Sequence, residues 1–96
     1  MVLTHEQLAN VAEQVFRQLF GSADSVDIDG TPYRIERTGR AQLLTVNFDE
    51  YRFMEQNPMK TSKWAAMAKQ GHKIIWIFKG WNYIGRIVDG EVTLFN

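Results

Sequence analysis

The segment THEQLANVAEQVFRQLF, residues Thr4 to Phe20, predicts the first element of the fold. Its apolar residues recur every three or four positions, which places them along one side of an α-helix. Thr4 and Gln7 fit a capping box, and Gly21 suits the end of the helix. We expect the apolar stripe to pack on the chain's own sheet, although it could instead form the seam of a dimer. The stripe consists of Leu8, Val11, Ala12, Val15, Phe16, Leu19 and Phe20.

The residues after this helix predict antiparallel strands. The dipeptide Asp29-Gly30 is typical of a two-residue hairpin turn, and such a turn would place Val26 opposite Tyr33. A third strand is expected over Gln42 to Phe48. One or two helical turns are then expected over Asp49 to Gln56, because the Asn57-Pro58 pair that follows disfavours a longer helix.

The remaining sequence predicts a short helix followed by a three-stranded meander. The helix would cover Lys63 to Gln70 and end at Gly71. The expected strands are His72 to Phe78, Trp81 to Val88 and Glu91 to Phe95, the last two joined by a tight Asp89-Gly90 turn. The predicted fold is therefore a single α+β domain over residues 1 to 96, with its elements in the order α-β-β-β-α-β-β-β.

Alternation along the meander predicts which side chains face the core. The side covered by the first helix is expected to carry Ile74, Trp76, Phe78, Trp81, Tyr83, Gly85 and Ile87, followed by Val92 and Leu94 on the last strand. Apolar residues also occur on the opposite side, where a solvated sheet face should be polar. We therefore predict that Ile75, Ile77 and Ile84 form a protein interface, either with a partner or in a homodimer.

Composition indicates a folded chain without disulfide bonds or a cysteine-based metal site. Of its 96 residues, 45% are apolar and 23% are charged, which is ordinary for a globular domain, and none is a cysteine. The N-terminal residues do not resemble a secretory signal, and no apolar run is long enough to span a bilayer. We expect a cytoplasmic protein that does not enter a membrane.

Charge is unevenly distributed although the formal net charge is zero. No acidic residue occurs between Met59 and Val88, where basic residues alternate with tryptophans. Such a mixture is typical of surfaces that bind single-stranded nucleic acid, although scattered solvated lysines would give the same pattern. The candidate nucleic-acid or anion-binding residues are Lys60, Lys63, Trp64, Lys69, His72, Lys73, Trp81 and Arg86.

Motifs for catalysis or cofactor binding are absent from the sequence. There is no P-loop, dinucleotide fingerprint or G-x-S-x-G motif, and the two histidines, His5 and His72, have no metal-ligand spacing. We therefore predict no catalytic residue, no metal and no cofactor. His72 is the one titratable residue that the basic segment makes a candidate acid/base group or phosphate ligand.

Three functional hypotheses follow, in order of preference. The first is a small non-enzymatic interaction or regulatory module that binds a protein or forms a homodimer. The second is a protein that binds nucleic acid through its basic C-terminal half, residues 59 to 88, with single-stranded nucleic acid as the candidate ligand. The third is a small acid/base enzyme, such as a ribonuclease, that uses His72 and nearby lysines.

Overall fold

The N-terminal helix has the predicted limits and cap. The computed structural model describes residues 3–20, 22–38, 43–55 and 63–95. Helix α1 spans His5–Leu19. The Thr4 hydroxyl accepts a hydrogen bond from the Gln7 backbone N–H at 3.1 Å, while the Gln7 side chain accepts one from the Thr4 N–H at 2.9 Å. The capping box is confirmed. Its buried side is formed by Leu8, Val11, Ala12, Val15 and Leu19.

The first hairpin also has the predicted register. Strand β1 (Ser25–Ile28) pairs with β2 (Thr31–Thr38), and Val26 lies opposite Tyr33. Asp29 adopts the left-handed region with φ of 51°, which aspartate tolerates better than most residues. The two-residue turn therefore determines which residues of both strands face the helix.

Strand β3 spans Leu43–Phe48, and its expected first residue, 42, lies outside the described residues. The structure corrects the prediction for the segment that follows this strand. In place of helical turns, the chain forms strand β4 (Tyr51–Glu55), antiparallel to β3 with Phe48 opposite Tyr51. Asp49 adopts φ of 52° and turns the chain directly back. The alternation of Tyr51 and Phe53 with more polar residues is that of a half-buried strand, and burial of those two rings favours the hairpin.

The C-terminal elements agree closely with the prediction. Helix α2 spans Lys63–Lys69, and its proposed caps at residues 61 and 62 lie outside the described residues. Strands β5 (Ile74–Lys79), β6 (Asn82–Val88) and β7 (Glu91–Leu94) form the meander. The Asp89-Gly90 turn places Ile87 opposite Val92, as expected.

The seven strands form one antiparallel sheet in sequence order, so the fold is α+β with one more strand than predicted. Helix α1 contacts both β1 and β7, which are the two edge strands. The sheet must therefore curve around α1, with a concave inner face toward the helix and an outer face away from it. Neither described helix is long and apolar enough to cross a lipid bilayer. The core between α1 and the inner face includes Val26, Ile28, Ile35, Val46, Phe48, Tyr51, Phe53, Ile75, Ile77 and Ile87.

A bulge in β6 overturns part of the predicted face assignment. Ile77 lies opposite Gly85, but the next residue, Phe78, lies opposite Tyr83, so that Ile84 has no direct partner. An extra residue on one strand reverses the alternation beyond it. The assignment of Gly85, Ile87, Val92 and Leu94 to the core side was correct. That of Ile74, Trp76, Phe78, Trp81 and Tyr83 was wrong.

The same bulge removes the basis for the predicted isoleucine interface. Ile75 and Ile77 are fully buried in the core beneath α1, and Ile84 packs against that core while half-buried. None of the three lies on the outer face where a partner would dock. Their apolar character is explained by packing within the chain.

One side chain of α1 holds the helix to the sheet edge. The Gln18 amide donates to the Asp27 carbonyl at 2.9 Å and accepts from the Asp27 N–H at 2.7 Å. This pair of bonds imitates the ladder of a neighbouring strand. It satisfies backbone groups that edge strand β1 would otherwise leave open for pairing with another chain.

Candidate interaction surface

The outer face of the sheet carries a cluster of packed aromatic rings. Trp76 of β5 lies between Trp64 of α2 and Tyr83 of β6, with ring centroids 5.6 and 5.5 Å away. Tyr83 in turn lies 5.0 Å from Phe95 and 5.7 Å from Phe78. Three of these four contacts are edge-to-face, the geometry that aromatic quadrupoles favour. We call Trp64, Trp76, Phe78, Tyr83 and Phe95 the aromatic cluster.

Arg86 is held in the middle of the aromatic cluster. Its guanidinium carbon lies 4.9 Å from the centre of the Trp64 ring and 5.0 Å from that of Phe95. One of its terminal nitrogens donates to the Tyr83 hydroxyl at 3.4 Å. Cation–π attraction from two rings restricts the side chain, so the charge of Arg86 is presented from a defined position.

Further cations border the aromatic cluster. The Lys63 ammonium lies 4.7 Å from the Trp64 ring centre. At the other end of the outer face, the Arg52 guanidinium carbon lies 5.8 Å from the centre of the Trp81 ring, and Arg52 also donates to the Asn47 side chain at 3.1 Å. Trp81 is 91% exposed, an unusual state for the largest apolar side chain.

Acidic residues are absent from the three elements that carry Trp64, Trp76 and Tyr83. The segments α2, β5 and β6 contain lysine and arginine but no aspartate or glutamate. At the neighbouring turn, the Lys79 ammonium lies 3.6 Å from a Glu50 carboxylate oxygen. Both side chains are more than a third exposed, so this ion pair contributes little stability.

The structure brings together only part of the predicted basic patch. Lys63, Trp64 and Arg86 are neighbours in space, and Trp81 lies on the same side of the sheet. Lys69 is exposed in the last turn of α2. Lys60 lies outside the described residues.

Lys73 and His72 point to other partners. The Lys73 ammonium lies 4.8 Å from the ring of Phe20, at the C-terminal end of α1 on the helix side of the sheet. The His72 Nδ1 lies 2.6 Å from Asp89 Oδ2, in the turn between β6 and β7. These two residues are therefore separate from the aromatic cluster.

The contacts of Asp89 account for its titration. The Lys73 backbone N–H donates to Asp89 Oδ1 at 2.9 Å, and this bond, followed by that from His72, lowers the pKa of Asp89. The pair ties the last turn to the start of β5. No group of three or more metal-ligating side chains occurs among the described residues.

Glu55 titrates differently because it lies on the side of the sheet toward the core. Burial disfavours its ionised form and raises its pKa, while the positive charge of Lys73 acts in the opposite direction.

Several residues of this surface were missed by sequence reasoning. Tyr83, Trp76 and Phe78 were assigned to the core, and Arg52 was placed in a helical turn. Phe95 was treated as the end of a strand. The signal that would have revealed them is the bulge, because one extra residue in β6 brings Tyr83 to the same side as Arg86.

A cleft lies on the helix side of the sheet, away from the aromatic cluster. It has a volume of about 540 Å³ and lies between α1 and the turns that follow β1 and β3. Buried apolar side chains lie at its base, where the rings of Tyr33 and Phe48 meet edge to face at 4.9 Å. The charged groups that line it are Glu13, Arg17, Asp29 and Asp49, all exposed.

Comparisons of the chain with protein-family models, curated proteins and solved structures found no match.

Proposed function

We propose that this protein is a non-enzymatic interaction module that binds a partner protein through the aromatic cluster and Arg86. The observation that carries the proposal is the position of Arg86 between Trp64 and Phe95, next to a Tyr83 side chain that is 43% exposed. Tryptophan, tyrosine and arginine are the residues that contribute most to binding energy at protein interfaces.

The order of these side chains before binding favours tight association. Immobilising a flexible side chain at an interface costs about 0.5 to 1.5 kcal/mol, and arginine has many rotamers to lose. Arg86 is already restricted by two rings and by the Tyr83 hydroxyl. A partner therefore gains its charge–charge contact at a smaller entropic cost.

The chemistry of the surface defines a partner type. The aromatic rings need an apolar surface on the partner. Arg86, Lys63 and Arg52 need acidic groups around that apolar surface. We therefore expect a partner whose binding site has an apolar centre bordered by aspartate or glutamate. We also propose a cytoplasmic location, since a chain with no cysteine is suited to a reducing compartment.

The experiment is affinity purification from the native host with three baits: the natural chain, Arg86→Glu and Arg34→Glu. Arg34 is a matched control because it is exposed on β2, far along the sheet from the aromatic cluster. A protein retained by the natural chain and by Arg34→Glu, but lost with Arg86→Glu, supports the proposal. For that protein, Tyr83→Ala should weaken binding by at least about 30-fold, corresponding to roughly 2 kcal/mol. Equal capture by all three baits would contradict it.

Single-stranded nucleic acid is a second candidate, favoured by the lack of acidic residues in α2, β5 and β6. Three phosphate contacts, by Arg52, Lys63 and Arg86, would give a log–log salt slope of roughly −2, from about −0.7 per phosphate. Stacking on Trp81 should add about 1 to 3 kcal/mol. Absence of binding to any DNA or RNA oligomer at low salt would exclude this candidate.

The acid/base enzyme remains a prediction with less support. His72 has Asp89 as its described partner, and this pairing joins a turn to a strand. A ribonuclease assay with the natural chain and His72→Ala tests it, since only activity lost with the imidazole would favour an enzyme.

A further inference from the structure

The β5–β6 turn projects a tryptophan into solvent. Trp81 is 91% exposed, whereas Trp76 on the adjacent strand is 9% exposed. When it is covered, a tryptophan side chain buries roughly 150 to 250 Å², so an exposed one offers a large area for binding. Arg52 lies 5.8 Å from its ring, so the tip of this turn is both apolar and positive.

The cleft beside α1 has complementary properties. Its volume of about 540 Å³ accommodates an indole ring, and its buried base includes Val11, Ile28 and Phe48. The charges that line it are three carboxylates, Glu13, Asp29 and Asp49, against one guanidinium, Arg17. The cleft is therefore apolar within and negative at its edge.

We propose that the protein forms a homodimer in which Trp81 of each copy enters this cleft of the other. Arg52 then approaches the carboxylates that line the cleft, so the two surfaces match in both polarity and charge. This inference shares Arg52 with the proposed partner surface but not the aromatic cluster or Arg86, and it does not rest on the proposed function. It also gives the predicted homodimer a site different from the buried isoleucines.

The topology allows both insertions to occur in one symmetric dimer. In a sequential antiparallel sheet, the turns after β1, β3 and β5 lie at the same end. The Gly80 N–H donates to the Glu50 carbonyl at 3.0 Å, which confirms that the last two turns are adjacent. A two-fold axis near this end would present the turn of each copy to the cleft of the other.

The size of the contact sets its expected strength. A stable interface buries about 800 Å² on each partner. Trp81 supplies up to roughly a quarter of that area, so the surrounding turns must supply the rest. We therefore expect a reversible dimer whose affinity decreases with salt, because Arg52 and the lining carboxylates are exposed charges.

The test is sedimentation equilibrium of the purified natural chain and of variants on each side of the contact. Trp81→Ala removes the inserted ring, and its control is Asn82→Ala, the exposed next residue. Asn10→Arg places a large cation in the cleft from an exposed position of α1, and its control is His5→Arg on the same helix outside the cleft. We expect Trp81→Ala and Asn10→Arg each to weaken dimerisation by at least about 30-fold, and the two control variants to dimerise normally.

Mixing the two defective variants provides the sharper measurement. Trp81→Ala retains an open cleft and Asn10→Arg retains the tryptophan, so together they should form a heterodimer that neither forms alone. A natural chain that stays monomeric at millimolar concentration would overturn the proposal. So would a dimer unaffected by Trp81→Ala, which would assign the cleft to a different occupant. Capture of a partner dependent on Arg86 would remain possible in either case, so the two proposals fail separately.

Discussion

Replacing Gly85 by alanine should destabilise the protein, because the last strand passes too close to this position for a side chain. A Cβ atom at this position would lie 2.6 Å from the Thr93 carbonyl oxygen and 2.8 Å from a Leu94 methyl carbon. Real Cβ atoms do not approach other heavy atoms so closely, so β7 must move away from β6.

The two opposing contributions can be compared. Introducing a methyl group into a packed site typically costs about 1 to 3 kcal/mol. Replacing glycine by alanine where no contact interferes stabilises by about 0.4 to 1 kcal/mol through the unfolded chain. We expect a net decrease in the free energy of unfolding of about 1 to 2 kcal/mol. For a domain of this size, that lowers the Tm by about 4 to 8 °C per kcal/mol.

Urea denaturation of Gly85→Ala, Leu94→Ala and the double variant separates the two contacts. Shortening Leu94 removes the methyl contact but leaves the Thr93 carbonyl, so Gly85→Ala should cost less in that background without becoming neutral. A Gly85→Ala protein as stable as the natural one, or more stable, would refute the close approach of β7 to Gly85.

Three further substitutions test the core and the titrating groups. Phe53→Ala should lower the free energy of unfolding by about 3 to 5 kcal/mol in urea denaturation, because the ring is fully buried. The lowered pKa of Asp89 contributes stability above its ordinary pKa of 3.8 that is lost as the pH falls further, so Asp89→Asn should reduce that acid-induced loss in thermal melts. Because the pKa of Glu55 is raised, the natural protein should be most stable below pH 4.5 and lose stability as the pH rises. Glu55→Gln should show no such loss and should be the more stable of the two proteins at pH 7. An unchanged pH profile in either variant would contradict the corresponding contacts.

The predictable parts of the fold are those determined by local sequence. The Thr4 and Gln7 capping box, the helical period of α1 and the Asp-Gly turns each require only residues close together in the chain. Strand β4 was missed because Asp49-Glu50 lacks the glycine that marks the other Asp turns. Asp49 has a φ of 52°, so the turn forms with aspartate in the left-handed conformation and without a following glycine.

The candidate surface was predicted only in part, because it depends on contacts between distant segments. The predicted set of basic residues interleaved with tryptophans includes Trp64 and Arg86, which lie 4.9 Å apart. Periodicity could not separate them from Lys73, which is near in sequence but faces Phe20 on the other side of the sheet. A single unpaired residue, Ile84, changed the side on which the neighbouring rings lie.

That unpaired residue links the packing of the core to the composition of the outer face. Helix α1 contacts both edge strands, so the sheet must bend around it, and a bulge increases the bend and twist of the strand that contains it. With the extra residue, Ile87 remains in the core while Tyr83 joins Trp76 on the outer face. With strict alternation, Tyr83 and Ile87 would lie on the same face of β6. Either the isoleucine would then be exposed or the tyrosine hydroxyl would be buried. The bulge satisfies both side chains, and it thereby provides Arg86 with the ring and hydroxyl contacts that hold its charge in position.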